Sequence, residues 1–384
     1  MEEEDIKYVL FSPERIDFEG FFYMDDNFYM KKVLSLASMG RGYVSPNPMV
    51  GALIVLDGKI IGRGFHKVFG GPHAEIEALS KLKGECLDRA TLYVNLEPCC
   101  HFGKTPPCVD FIIQSGIKRV VIGTLDPNPL VNGKGVRKLK SAGVATEVGI
   151  MKEECLRLNE VYFKFITKKK PFVVLKIAQT IDGRIATKEF HSKWITGEES
   201  LKMVHKIRKE YDSILVGINT VIKDDPELTV RKIKSRKKKR FILDTKCRIP
   251  LTARLLHLND SENTVIITTE HAPENKIKKI KDLGAEIWTM PESREGDLDI
   301  EKVLLRMAKR GVASVVVEGG KKVFTSFLKR GEFDRVVTFI APKIFGSGVE
   351  SVGDLGIVDI DDAITFRDFK WYKSGSEIVF DGRR

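Results

Sequence analysis

His73-Ala74-Glu75, followed by Glu97-Pro98-Cys99-Cys100 and then Pro107-Cys108, is the part of this 384-residue chain from which the rest can be read. One imidazole and two thiolates fill three of the four tetrahedral positions that zinc prefers. The fourth stays open, as in catalytic rather than structural sites. Glu75 stands two residues past the histidine, at the start of a helical stretch, where it can take and return protons without binding the metal. Zinc lowers the pKa of a bound water to about 7, so the set reads as a device for hydrolysis at neutral pH. Buried cysteines beside an incidental histidine are the bland alternative, and the coincidence of three ligands with a base speaks against it. Cys100 reads as a bystander, because Cys99 holds the proline-preceded position.

Outward from this cluster the apolar residues change period repeatedly. Helical spacing over 27–39 is followed by strand patterns at 49–56 and 59–65, joined at Asp57-Gly58, a hairpin signal. A helix over 73–82, a strand over 90–96, a helix over 108–115 and a strand over 119–124 complete what reads as a mixed α/β sandwich. The run Thr167-Lys168-Lys169-Lys170-Pro171 marks the best boundary. After it the alternation restarts, with strands predicted at 172–178, 213–216, 240–243, 264–268, 286–288, 314–317 and 335–341. Helices are predicted at 198–211, 274–283, 300–310 and 321–330. The expected organisation is an extension over 1–23, a first domain over 24–168 and a second over 171–384.

Composition sets outer limits. With 42% hydrophobic and 30% charged residues, this is an ordinary globular protein. Its longest apolar run, 49–56, is far short of the ~20 residues needed to cross a bilayer. The acidic start (Glu2, Glu3, Glu4, Asp5) is opposite to a signal peptide's basic n-region, so a cytoplasmic enzyme is expected. A net charge of +11 suits an anionic partner, either nucleic acid or small phosphorylated molecules. The basic block 231–240 could serve a nucleic-acid arm, but reads more simply as a solvated loop between strands.

A histidine, one residue, a glutamate and later Pro-Cys pairs typify the zinc nucleobase deaminases, whose second cysteine normally follows the first by three residues. Here it follows at nine, with His101 and Lys104 in the insertion, an arrangement suited to an anionic or hydrogen-bonding substrate. Together with Pro46-Asn47-Pro48-Met49-Val50-Gly51, Gly64-Phe65-His66 and Asp126-Pro127-Asn128-Pro129, the chain resembles the bifunctional riboflavin-biosynthesis deaminase/reductases over roughly 25–384.

The resemblance implies an α/β fold: an N-terminal cytidine-deaminase-like α/β/α sandwich followed by a dihydrofolate-reductase-like α/β domain. It implies zinc on His73, Cys99 and Cys108, Glu75 as catalytic proton shuttle, and Asn47, His66, His101 and Lys104 lining a pocket for a phosphoribosylaminopyrimidine. One position departs from the family, which commonly has a second histidine where this chain has Glu77. In the second domain the resemblance implies an NADPH site at Ala178, Trp194, Thr220, Asp224 and Gly320, the last opening a stretch that runs to Ser326. The substrate positions it implies are Ser192, Arg208, Leu228, Arg231 and Glu318, with the two arginines on the substrate phosphate. Lys176 and Asp224 are candidates for handling a proton at the ribose oxygen. A homo-oligomer with no nucleic-acid or membrane partner is expected. The competing readings are a nucleic-acid deaminase with an accessory domain and a zinc-stabilised scaffold. The first leaves the second domain's motifs unexplained, and Glu75 beside an open coordination position argues against the second.

Overall fold

The computed structural model describes residues 24–102, 106–193, 195–231, 233–293 and 296–384. The extension over 1–23, Lys104 and Trp194 lie outside the described residues. The chain divides into two compact units: residues up to Gly40 with Met49–His66 and Gly70–Leu158, and then Arg41–Pro48 with Lys67–Phe69 and Asn159–Arg384.

The first unit contains α1 (Asp26–Ser38), β1 (Gly51–Leu56), β2 (Lys59–Phe65), α2 (Ala74–Leu79), β3 (Thr91–Leu96), α3 (Cys108–Gln114), β4 (Arg119–Thr124), α4 (Lys134–Ser141), β5 (Ala145–Val148) and α5 (Lys152–Leu158). Its sheet runs β2-β1-β3-β4-β5. The β1–β2 turn has φ of 50° at Asp57 and 76° at Gly58, the paired positive values that a tight hairpin requires. Alternate residues of each strand serve opposite faces. Ala52, Ile54, Leu92, Val94, Val120 and Ile122 pack with Ala74, Ala78, Val109, Ile112 and Leu139 of α2, α3 and α4. Their neighbours Leu53, Val55, Tyr93 and Val121 meet Tyr29, Met30, Val33 and Cys155 of α1 and α5. The result is an α/β/α sandwich.

In the second unit α6 (Glu160–Lys168) leads into β6 (Phe172–Thr180), β7 (Arg184–Ala186), α7 (Glu198–Glu210), β8 (Ser213–Gly217), α8 (Ile218–Asp224), β9 (Lys239–Leu243) and β10 (Thr264–Thr268). There follow α9 (Glu274–Asp282), β11 (Glu286–Thr289), α10 (Ile300–Lys309), β12 (Ser314–Val317), α11 (Lys321–Lys329), β13 (Arg335–Ala341), β14 (Val349–Glu350), β15 (Asp368–Ser374) and β16 (Glu377–Arg383). Nine strands form one sheet, β11-β10-β9-β8-β12-β6-β13-β16-β15. It is parallel from β11 to β13 and ends in the antiparallel β16–β15 hairpin. Late strand β12 inserts between β8 and β6, so the chain order reverses there. In open α/β sheets, ligands bind at the strand carboxyl ends beside such a reversal.

The basic block 231–240 is not simply a solvated loop. Lys238 and Arg240 are buried. The Lys238 ammonium donates to the Lys209 and Tyr211 carbonyls at 2.8 and 2.6 Å, capping the end of α7. Arg240 donates to Thr264 Oγ1 and pairs with Asp260. Charge density along the sequence misleads here because period-2 burial selects particular members of the run.

Candidate catalytic centres

His73 occupies the N-cap position of α2, Cys108 opens α3 and Cys99 lies in the loop after β3, so three elements converge. Their ligand atoms all lie within 4.8 Å of one another. His73 Nδ1 is 3.2 Å from Cys108 Sγ and 3.5 Å from Cys99 Sγ. The Cys108 backbone N–H reaches Cys99 Sγ at 3.4 Å. Hydrogen bonding from the Cys108 thiol, joined by that from His73, lowers the Cys99 thiol, so of the two sulfurs Cys99 is the one favoured as thiolate. Hydrogen bonding to Cys99 raises His73. Glu75 is buried at 3% exposure. Burial, followed by the neighbouring Cys99 thiolate, pushes its carboxyl up to about 7, where it can both accept and donate a proton near neutral pH. A soft N/S/S donor set around a buried acid fits zinc.

The sheet aims these groups. A Cβ on Gly64 would lie 2.1 Å from the Ala74 carbonyl oxygen, so only glycine lets β2 approach α2 this closely. Asn95, fully buried in β3, accepts from Gly51 N at 2.8 Å and donates to the Met49 carbonyl at 2.9 Å, fixing the entry to β1. It was missed as a supporting residue, although an amide inside an apolar strand is itself a signal. His66 packs edge-on against the His73 ring at 5.7 Å. Its Nδ1–H donates to the Pro72 carbonyl at 2.9 Å, which makes the other ring nitrogen an acceptor. Glu77 accepts from Phe65 N at 3.2 Å, so the residue that departs from the family clamps the strand end next to His66. His101 Nδ1 is buried without a hydrogen-bond partner among the described residues, as a group awaiting a ligand would be.

In the second unit Glu318, just past the carboxyl end of β12, forms a buried charge cluster with Lys176 of β6 and Arg208 of α7. Arg208 of α7 grips Glu318 with both arms, Nε to Oε1 at 2.6 Å and Nη2 to Oε2 at 2.7 Å, while its Nη1 donates to the Thr229 carbonyl. The Lys176 ammonium lies 4.0 Å from the same carboxylate. Burial alone would raise Glu318, but Arg208 and Lys176 outweigh it and hold the carboxyl at about 2. Burial pushes Lys176 down. Beside this cluster, Gly217 N donates to the Gly319 carbonyl at 2.8 Å, and Gly319 has φ of 116°, open only to glycine. A Cβ on Gly320 would lie 3.7 Å from Thr220 Oγ1, and Gly320 caps α11 without a side chain over its first turn. Such a glycine-lined helix start fits a phosphate-bearing cofactor.

Comparison with known proteins agrees with both halves. Residues 24–124 match the cytidine and deoxycytidylate deaminase zinc-binding region, and residues 171–380 match the RibD C-terminal domain. The riboflavin biosynthesis protein RibD of Aquifex aeolicus is 48% identical over 355 residues, covering 92% of this chain and 97% of that protein. The chain belongs to the RibD family. RibD of Escherichia coli is 34% identical over 358 residues, covering 90% of this chain and 95% of its own. A solved diaminohydroxyphosphoribosylaminopyrimidine deaminase/5-amino-6-(5-phosphoribosylamino)uracil reductase from Thermotoga maritima superposes with a TM-score of 0.81 at 42% identity, over 93% of this chain and 98% of that one. Acinetobacter baumannii RibD gives 0.83 at 32% identity with the same coverage. As a RibD protein, this chain is a bifunctional enzyme of riboflavin biosynthesis, joining a zinc-dependent pyrimidine deaminase to an NADPH-dependent reductase. Among the described residues no helix is long and apolar enough to cross a membrane.

The residues expected from the RibD resemblance are placed unevenly. His73, Glu75, Cys99 and Cys108 come together, with His66 against them. Asn47 lies in Arg41–Pro48, a segment grouped with the second unit. Ser192 Oγ donates to Asp224 Oδ1 at 2.9 Å, and Thr220 adjoins Gly320. Ala178 is half-buried on β6. Of the two arginines expected on the substrate phosphate, Arg208 is held by Glu318, itself an expected substrate position, while Arg231 is exposed and its backbone N–H donates to His205 Nδ1. The Leu228 side chain is buried among Ile214, Val216 and Ile242, which leaves its backbone, at φ of 53°, as the part able to face a ligand.

Proposed function

We propose that the first domain removes an amino group hydrolytically from a pyrimidine bearing a phosphoribosylamino side chain, and that the second uses NADPH to reduce the ribosyl chain of that product to ribityl. The observation that carries this reading is the convergence of His73, Cys99 and Cys108 beside the buried Glu75 carboxyl. When bound there, zinc supplies an acidified water at its open position. The other tasks fall to the chain. Glu75 holds and returns the proton, and His66, His101, Asn47 and Lys104 bind the pyrimidine and its ribose phosphate. In the second domain Ala178, Trp194, Thr220, Asp224 and the stretch from Gly320 serve NADPH. Ser192, Leu228 and Arg231 serve the substrate, with Lys176, Arg208 and Glu318 as the charged floor of the site.

The partners are small molecules and not nucleic acid, a reading supported by the folding of Lys238 and Arg240 into the interior. We also propose a cytoplasmic location and, because edge strand β15 exposes Phe369 and Trp371 and neighbouring β16 exposes Ile378, a homo-oligomer. The test is a coupled assay. The aminopyrimidine substrate with NADPH should release ammonia and then consume NADPH. Chelation should stop the first step while supplied deaminated intermediate is still reduced. NADPH consumption with neither pyrimidine present would refute the reading.

A further inference from the structure

Glu97 follows β3 and stands two residues ahead of Cys99, with only 3% of its surface exposed. A buried carboxylate is costly unless its lone pairs are filled. Here three backbone donors converge on it: Asp126 N at 3.2 Å and Gly133 N at 2.8 Å on Oε2, and Val136 N at 3.1 Å on Oε1. Gly133 is the N-cap of α4 and contributes no capping side chain, so Glu97 caps that helix from another element. Its own N–H donates to the Thr124 carbonyl at 2.9 Å. On the same side α4 presses on the loop after β3: a Cβ on Gly135 would lie 2.3 Å from the Pro98 carbonyl oxygen and 3.1 Å from Glu97 Oε1. From the other side, Val109 N of α3 donates to the Cys99 carbonyl at 3.2 Å. The loop bearing Cys99 is therefore clasped between α3 and α4.

We propose that Glu97 is a positioning residue for the metal centre, its carboxylate locking α4 and the 126–133 loop onto the loop that aims Cys99 Sγ. The proposal rests on the reading of Cys99 as a zinc ligand. Glutamine cannot replace the acid fully. Its amide oxygen can keep the two bonds of Oε2, but its NH2 then faces the Val136 N–H, donor against donor. Groups that orient metal ligands typically cost 10–100-fold in metal affinity or activity when altered.

The experiment measures zinc affinity by chelator competition on the full-length Glu97→Gln, Gly135→Ala and Cys99→Ser proteins, well below their melting temperatures. NADPH oxidation on the deaminated intermediate is followed in parallel. Zinc affinity should fall 10–100-fold in Glu97→Gln. It should also fall in Gly135→Ala, which pushes the same Cys99 loop without altering a charge. The deaminase kcat should drop more than its KM rises, and the reductase rate should stay at the wild-type value. A Glu97→Gln protein that melts earlier but keeps wild-type zinc affinity overturns the proposal, since the carboxylate would then serve the fold alone. If Glu97→Gln does not fold, wild-type zinc affinity in Gly135→Ala overturns it equally. Zinc retained by Cys99→Ser is a different failure, because it removes the ligand assignment itself.

Discussion

Replacing Arg208 with alanine strips the Glu318 carboxylate of its bidentate partner in a place where water cannot substitute. The two side chains are 14% and 7% exposed. Breaking one side of such a buried pair typically costs 3–5 kcal/mol, because a charge is left uncompensated. Lys176 remains at 4.0 Å from the carboxylate and softens the loss, so about 3 kcal/mol is expected at pH 7. The pH dependence checks the same argument. Glu318 is held at about 2 against an ordinary 4.5, a difference that corresponds to roughly 3 kcal/mol. For a carboxyl lowered on folding, that stability is complete above pH 4.5 and is lost as pH falls towards 2. The gap between wild type and Arg208→Ala should therefore narrow across that interval. Urea unfolding followed by tryptophan fluorescence, with Trp288 fully buried in this unit, measures both. The apolar double variant Arg208→Met/Glu318→Leu should be more stable than Arg208→Ala, since neither charge is then stranded. An Arg208→Ala protein within about 0.5 kcal/mol of wild type, the range of an ordinary surface change, would refute the reasoning.

Glu75→Gln should lower deamination by ~10²–10⁴-fold, with zinc content and reduction of the deaminated intermediate intact; loss of zinc would reassign Glu75 to the metal. Cys99→Ser should leave purified protein short of its one zinc per chain by metal analysis. Lys238, pushed down to about 8 by burial, binds fewer protons folded than unfolded between pH 8 and 10.5, so stability rises with pH there. Wild type should gain up to about 3 kcal/mol on Lys238→Met over that interval in urea titrations. A constant difference would mean that the ammonium is not desolvated.

The zinc centre was legible in the chain because coordination demands particular side chains. Histidine, two cysteines and a base at fixed spacing have few other uses, and the structure brings together the four residues expected. Strands were legible for a related reason, since a strand buried on both faces needs an unbroken apolar run such as Ala52-Leu53-Ile54-Val55, whose alternate residues enter two different cores. Helices α4, α5, α6 and α8 and the β15–β16 hairpin were not predicted. Short elements carry too few turns to show a period, and their stability comes from what they pack against. The partnership of Arg208 with Glu318 spans 110 residues and exists only because β12 slots in beside β8, which no local pattern announces. The burial of Lys238 and Arg240 inside a basic run, and the use of Glu97 to cap a helix from another element, belong to the same class. Residue chemistry and local period are properties of the sequence itself. Which distant charges share a buried site is decided when strands acquire neighbours, because only then does losing water make a partner necessary.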